Sequence, residues 1–285
     1  MKRTLRTVLG ILLAVLMVIC MKTCIDNAPH GTDIGTAPAP APVETPVIPE
    51  QPQPSELVTE PEPSAEPTPE PTPDPNSPEG RALALGLPVP PDIDITSWEY
   101  ILANGEHSIS EYAPPEIQYL ESQPLDSRII EPIQRMAEDT RAQGLNVYLS
   151  SGYRSYSDQA ANFIRVCELN GVSDGKTASG FYITMPAGCS EHQTGLACDI
   201  TDVYYPVKNS SIENTATFQY MSQHCQEFGF ILRFPKDKEN VTGVMYEPFH
   251  YRYVGIEAAT YIMENGLCLE EFISLYTGED LSAMK

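Results

Sequence analysis

The amino-acid sequence predicts an α+β protein with one compact folded domain, and three observations carry that prediction. Short runs with strand character and longer runs with helical spacing follow one another without the regular alternation that parallel βαβ units need. Most of the apolar content falls in the last two thirds of the 285 residues, a length that suits one domain with a full core. The remaining N-terminal part is set off by composition, with an apolar start followed by a proline-rich, acidic stretch.

The elements follow in order. Residues 126–144 place Ile129, Ile130, Ile133, Met136 and Ala137 at helical spacing, and Gly144 ends the run. Residues 145–149 alternate as a strand, and Ser151-Gly152-Tyr153-Arg154 turns out of it. Ser155 followed by Asp158 reads as a capping box with Asp in place of the usual Glu, opening a helix that runs to about Leu169. Strands are expected at 195–200 and 230–234 with a helix at 217–228 between them, then a strand at 245–254 and helices at 256–264 and 270–276. The folded domain is expected to cover residues 92–285.

Residues 1–22 hold Lys2, Arg3, Arg6 and Lys22 and no acid, and residues 8–21 carry no charge at all. That is the layout of a secretory signal or a short membrane anchor, and either one exports the rest of the chain. No small-x-small cleavage site follows closely, and Met17, Val18 and Ile19 are too bulky before Cys20 for a lipoprotein box, so an uncleaved anchor is expected. Residues 23–91 read as a disordered linker: 16 of the 27 prolines lie between positions 29 and 78, where neither helix nor sheet ladder can form. Self-repelling polyproline II at about 3.1 Å per residue would reach on the order of 150 Å, a tether long enough to place a domain in a cell wall. A net charge of -22 excludes nucleic acid as a partner.

Two clusters carry chemistry. Residues 190–199 contain His192 and Asp199, and residues 247–250 contain Glu247 and His250. A catalytic zinc needs three protein ligands and an open position for water, and His192, Asp199 and His250 meet that need. Glu247 is left over as a general base. Taken singly, each of these residues is more often a hydrogen-bonded structural group. Their clustering argues otherwise, although residues three apart on an ideal strand, such as Glu247 and His250, face opposite ways. Pro248 hints at a bulge or edge that re-aims them. Arg154 by itself reads as an exposed turn arginine with a surface salt bridge. His224 and His107 read as structural, as does His30.

Ser-Gly-Tyr-Arg-Ser at 151–155 with Gln159, Ser-Glu-His-Gln-Thr-Gly-Leu-Ala-Cys-Asp at 190–199, and Glu-Pro-Phe-His-Tyr-Arg-Tyr-Val-Gly at 247–255 occur in that order. This set resembles the VanY-type D-alanyl-D-alanine carboxypeptidases, over roughly residues 98–276 and including Tyr112-Ala113-Pro114. The resemblance implies one zinc held by His192, Asp199 and His250, Glu247 as catalytic base, and Arg154, Gln159 and Ser190 in contact with substrate. It implies the α+β fold with a central antiparallel sheet, flanked by helices, that lysostaphin-type peptidases and hedgehog domains share, with the zinc site at the sheet. Two positions depart from the pattern: Phe249 stands where Trp is common, and Phe234 where Tyr is usual.

The expected activity is therefore removal of a C-terminal D-Ala from peptidoglycan stem peptides by a zinc carboxypeptidase acting outside the cytoplasm, at the bacterial membrane or in the wall, as a monomer. An L,D-carboxypeptidase acting on tetrapeptide stems uses the same motif set. A non-catalytic wall-binding module is the alternative of another class, and Glu247 argues against it because a structural site has no use for a base. Seven cysteines in an exported chain lead us to expect disulfides, Cys198–Cys225 first and Cys167–Cys189 second, with Cys268 left over. Cys198 precedes Asp199 on a strand and should point away from the metal.

Overall fold

Proline content alone would keep the first described residues out of the fold, but local chemistry brings them in. The computed structural model describes residues 72–282. Ser77 caps helix α1 (Pro78–Ala84) by accepting the Gly80 N–H, and Pro78 sits in the first turn, where its missing N–H costs nothing. Ala82 is fully buried, and Arg81 donates to the carbonyls of Leu275 and Tyr276. The hydroxyls of Tyr261 and Tyr276 donate to the carbonyls of Pro88 and Pro91. Residues 78–91, read above as linker, are thus strapped onto the domain, and the fold starts upstream of Asp92. The apolar segment at 8–21 and most of the linker lie outside the described residues.

A hairpin follows, β1 (Ile117–Leu120) and β2 (Gln123–Asp126), which the sequence reading missed because its turn holds Glu121 at φ 54° and no glycine or asparagine. Helix α2 (Ile130–Ala142) is entered through a 3₁₀ turn at Ser127–Ile129 and is followed, after the Gln143 cap, by Gly144 at φ 78°. Strand β3 (Tyr148–Ser151) leads to α3 (Tyr156–Asn170), capped by Ser155 as expected. Strand β4 (Ala197–Thr201), helix α4 (Ala216–His224) with a 3₁₀ extension to Phe228, and strand β5 (Phe230–Leu232) come next. A single turn α5 (Glu239–Thr242), strand β6 (His250–Tyr253) and helices α6 (Ile256–Glu264) and α7 (Leu269–Thr277) complete the chain.

The four later strands pair in the order β3-β4-β6-β5, all antiparallel. One face of this sheet is apolar: Leu149, Cys198, Ile200, Phe230 and Tyr251 pack with Ile133 and Met136 of α2 and with Met221 and Cys225. A second core joins α6 and α7 to Ile231, Val254 and Ala82. Because side chains alternate across a strand, the neighbours of the apolar residues, Asp199, His250 and Arg252, are delivered to the opposite face.

The five cysteines among the described residues are all free, so the Cys198–Cys225 and Cys167–Cys189 bridges are not formed. Cys198 and Cys225 fill the apolar core as small hydrophobic side chains, whereas Cys189 packs in a separate cluster with Met185, Phe234 and Val244, apart from Cys167 on α3. Cys198 does face away from Asp199, as the alternation requires.

Candidate active site and metal centre

Asp199 and His250 are paired residues of β4 and β6, so their side chains project side by side from the same face of the sheet. Ser151 of β3 lies opposite Asp199 on its other side. His192 reaches the same place from a different route. It sits in a 3₁₀ turn, Glu191–Thr194, that ends at Gly195 with φ 71°; a side chain on Gly195 would come within 2.9 Å of the Asp126 backbone nitrogen, so glycine is required there. Gln193 secures the turn from outside by donating to the carbonyls of Ile109, Ser110 and Tyr112.

The three side chains converge. Asp199 Oδ1 is 3.0 Å from His250 Nδ1 and 3.5 Å from His192 Nε2, and one ligand atom from each residue lies within 4.8 Å of the others. Four-coordinate zinc with bonds of about 2.0–2.1 Å separates its donors by roughly 3.3–3.5 Å, a spacing that the two Asp199 distances approach, and the donor set of two imidazoles and a carboxylate suits such an ion. The tautomers agree. His192 Nδ1 donates to the Gly152 carbonyl at 2.7 Å, leaving the Nε2 lone pair aimed inward. Burial and the nearby Arg154 lower the His192 pKa to about 4, so the ring is neutral at physiological pH. Burial opposes ionisation of Asp199, but Lys208 and His192 outweigh it and hold its carboxyl well below the usual range.

His250 is different. Burial disfavours its charge, yet Asp199 on one side and Glu191 on the other raise its pKa to about 9. A proton and a metal ion therefore compete for Nδ1. The other ring nitrogen, Nε2, has no hydrogen-bond partner and lies 3.6 Å from Glu191 Oε2, an oxygen equally without one. This is the arrangement of a carboxylate that orients a ligand imidazole.

Glu191 is itself clamped. Its Oε1 accepts from Arg233 Nε at 2.7 Å and from Arg252 Nη1 at 2.9 Å; Arg233 then forms a two-pronged pair with Glu270 at 2.7 and 2.8 Å. Arg252 spends its remaining donors on the carbonyls of Glu99, Ile101 and Tyr253. The two arginines and two glutamates are wholly buried, neutral as a set and nearly saturated with hydrogen bonds, which is what makes such a cluster tolerable. Burial raises the Glu191 pKa, but Arg233 and Arg252 overcome it and the net shift is downward.

Glu247 stands just outside β6. The expected strand over 245–254 is shortened to His250–Tyr253 because Pro248 and Phe249 form a turn, closed by the His250 N–H donating to the Glu247 carbonyl at 3.3 Å. This turn removes the alternation problem and brings Glu247 Oε2 to 3.7 Å from His250 Nδ1. Burial, aided by Asp199, raises the Glu247 pKa to about 7 despite His250, Lys208 and Arg154. A carboxyl poised there exchanges a proton readily near neutral pH.

Arg154 lies against the centre: its N–H donates to the His192 carbonyl at 3.0 Å and its Nη1 to Ser151 Oγ at 3.0 Å, while its Nε is buried with no partner. Burial lowers its pKa and the charges of Asp199 and Glu247 support it. Ser190 is buried at the start of the His192 turn, where its side chain makes no capping bond. Gln159, on the first turn of α3, donates Nε2 to the Met185 carbonyl at 2.6 Å and keeps a buried, unpaired Oε1. Phe234 packs on His250 with ring centroids 4.9 Å apart, and Phe249 faces the Lys208 ammonium at 5.4 Å, so both departures from the family pattern sit at this centre. His224 bonds Glu227 and His107 bonds Asn104, away from it.

Sequence reasoning missed Glu191, Arg233, Arg252, Glu270 and Lys208. Arg252 and Arg233 were detectable in principle, as charges sitting inside otherwise apolar or aromatic strand runs; Glu270 and Lys208 carry no local signal.

Residues 122–256 match the family model described as VanY, D-alanyl-D-alanine carboxypeptidase. A D-alanyl-D-alanine carboxypeptidase of Enterococcus faecalis is 36% identical over 188 residues, covering 64% of this chain and 68% of that protein. Among solved structures, the LdcB LD-carboxypeptidase superposes with a TM-score of 0.54 at 29% identity, over 62% of this chain and 86% of that one. A mutant of the vancomycin-resistance D,D-pentapeptidase VanY, in complex with Zn(II), gives 0.52 at 34% identity over 62% and 99%. This chain belongs to the VanY-type family of D-alanyl-D-alanine carboxypeptidases.

Proposed function

We propose that this member of the family is a zinc-dependent peptidase that removes a C-terminal D-Ala from peptidoglycan stem peptides, with His192, Asp199 and His250 holding the metal and Glu247 moving the proton. The observation that carries the reading is the convergence of three ligand atoms beside the partly buried Glu247 carboxyl, whose pKa desolvation raises to about 7. Zinc, when bound, supplies Lewis acidity toward the scissile carbonyl and lowers the pKa of water.

The chain's own groups then divide the work. Glu247 takes a proton from the water whose oxygen bonds to the carbonyl carbon, and returns it to the amine nitrogen as the C–N bond breaks. Arg154, with an unsatisfied buried Nε, presents a fork that matches the terminal carboxylate of the peptide. Gln159 and Ser190 are assigned to substrate contact by the family pattern; the unpaired Gln159 Oε1 supports that role for Gln159, and Ser190 is buried at the start of the His192 turn. The buried arginine–glutamate cluster keeps Glu191, and through it the His250 ring, from turning.

The D,D reading is preferred to the L,D one because the matching family model and the E. faecalis relative are both named for D-alanyl-D-alanine. A wall-binding module without turnover gives Glu247 nothing to do. Such a substrate lies outside the cytoplasm, which accords with the basic and apolar start of the chain as an export signal or membrane anchor; no helix among the described residues is long and apolar enough to cross a membrane. Incubating the full chain with pentapeptide and tetrapeptide stems, with products read by mass, tests the assignment: loss of one alanine from the pentapeptide is expected, and cleavage of the tetrapeptide alone, with the pentapeptide left intact, would overturn it.

A further inference from the structure

Lys208 lies outside the motifs at 151–159, 190–199 and 247–255, in the segment between β4 and α4, yet its ammonium is 2.6 Å from Asp199 Oδ2. The two oxygens of Asp199 are thus divided. Oδ1 faces His250 and His192, and Oδ2 is taken by Lys208. Ser150 Oγ, 3.3 Å from the same nitrogen, and the ring of Phe249 hold the lysine end in place. The segment that carries it is anchored as well, by Thr201 Oγ1 donating to the Val203 carbonyl at 2.7 Å and by Tyr204 set edge-on against Tyr148.

We infer that Lys208 is a positioning residue that makes Asp199 a one-oxygen ligand and so keeps a coordination position open at the metal. The inference rests on the zinc reading above. A carboxylate free to pivot can offer both oxygens to a metal ion, filling the position that hydrolysis requires for water. It can also swing away from the two imidazoles. An ammonium fixed on Oδ2 blocks both movements and costs the site no ligand. The same positive charge repels a divalent cation, so the positioning and the repulsion act in opposite directions on affinity; the short contact and the carboxylate it neutralises favour positioning.

The test uses the full chain as wild type, K208M and K208R, with Zn²⁺ affinity read by chelator competition and Co²⁺ as a spectroscopic stand-in. Loss of a partner behind a metal ligand costs roughly 10- to 100-fold in affinity, and that loss is expected for K208M, with recovery in K208R. The Co²⁺ d–d absorption, intense in four-coordinate sites and weak in five- or six-coordinate ones, should fall in K208M and be retained in K208R. Unchanged affinity and spectrum in K208M overturn the inference, as does tighter zinc binding, which would make the lysine a competitor of the metal. K208Q, with the same expected losses, replaces K208M if thermal melting shows the latter unfolded. Failure of the wild type to bind zinc sinks the zinc reading itself, whereas equal binding by wild type and K208M sinks only the role of Lys208.

Discussion

Asp199 and His250 face each other across the β4–β6 ladder with Oδ1 and Nδ1 3.0 Å apart, so the backbone register of the sheet itself sets the separation of two proposed metal ligands. Few residues intervene between the site and the hydrogen bonds that hold it. A metal centre built this way should persist in the absence of metal, and its ligands should be separable by mutation from its fold.

Purified protein is expected to hold about one zinc per chain, and His192→Ala to lose it. His250 adds a pH signature. Its pKa is raised to about 9, so at pH 7 the metal-free ring is protonated and must give up that proton on binding. Zinc affinity should rise with pH up to about 9, and titration calorimetry in two buffers of different ionisation enthalpy should register proton release. Binding heats independent of buffer would count against Nδ1 as a ligand.

Glu247→Ala should keep both metal and fold while losing roughly 10²- to 10⁴-fold in kcat, the usual contribution of a general acid–base group. Steady-state kinetics on a zinc-replete variant is the measurement, and near-normal turnover would remove Glu247 from the proton's path.

Glu191→Gln should weaken zinc binding by roughly 10- to 100-fold through loss of His250 orientation. It should also change acid stability. The Glu191 pKa is depressed by Arg233 and Arg252, so its ionisation stabilises the folded state above the unfolded value of about 4.3, and that stability drains away as pH falls below it. Melting temperatures followed from pH 6 to pH 2 should fall less steeply in the variant, from a lower starting point at pH 6. Parallel curves would show that the carboxylate is not what the arginines stabilise.

Arg154→Lys should lower kcat/KM on free-ended peptides and leave zinc content unchanged, because an ammonium keeps the charge but not the fork. A peptide with an amidated C-terminus should be a poor substrate for the wild type, by a margin that shrinks in the variant. Equal cleavage of amide and acid would mean an endopeptidase.

By itself the sequence determined the α+β class, the helices at 130–142, 156–170 and 256–264, and the grouping of His192, Asp199, His250 and Glu247. Local signals sufficed for the helices, through helical spacing and a serine cap, whereas the site residues form two short clusters, 192–199 and 247–250, linked along the sequence only by their resemblance to one family. The tertiary structure decided the rest. The free state of Cys198 and Cys225, the docking of α1 through Arg81, the turn that aims Glu247, and the convergence of Glu191, Arg233, Arg252, Glu270 and Lys208 around the proposed ligands depend on partners up to 195 residues apart. A strand's alternation says which residues share a face, but the register of β4 against β6 and the burial of a charge against its counter-charge exist only once the chain has closed on itself.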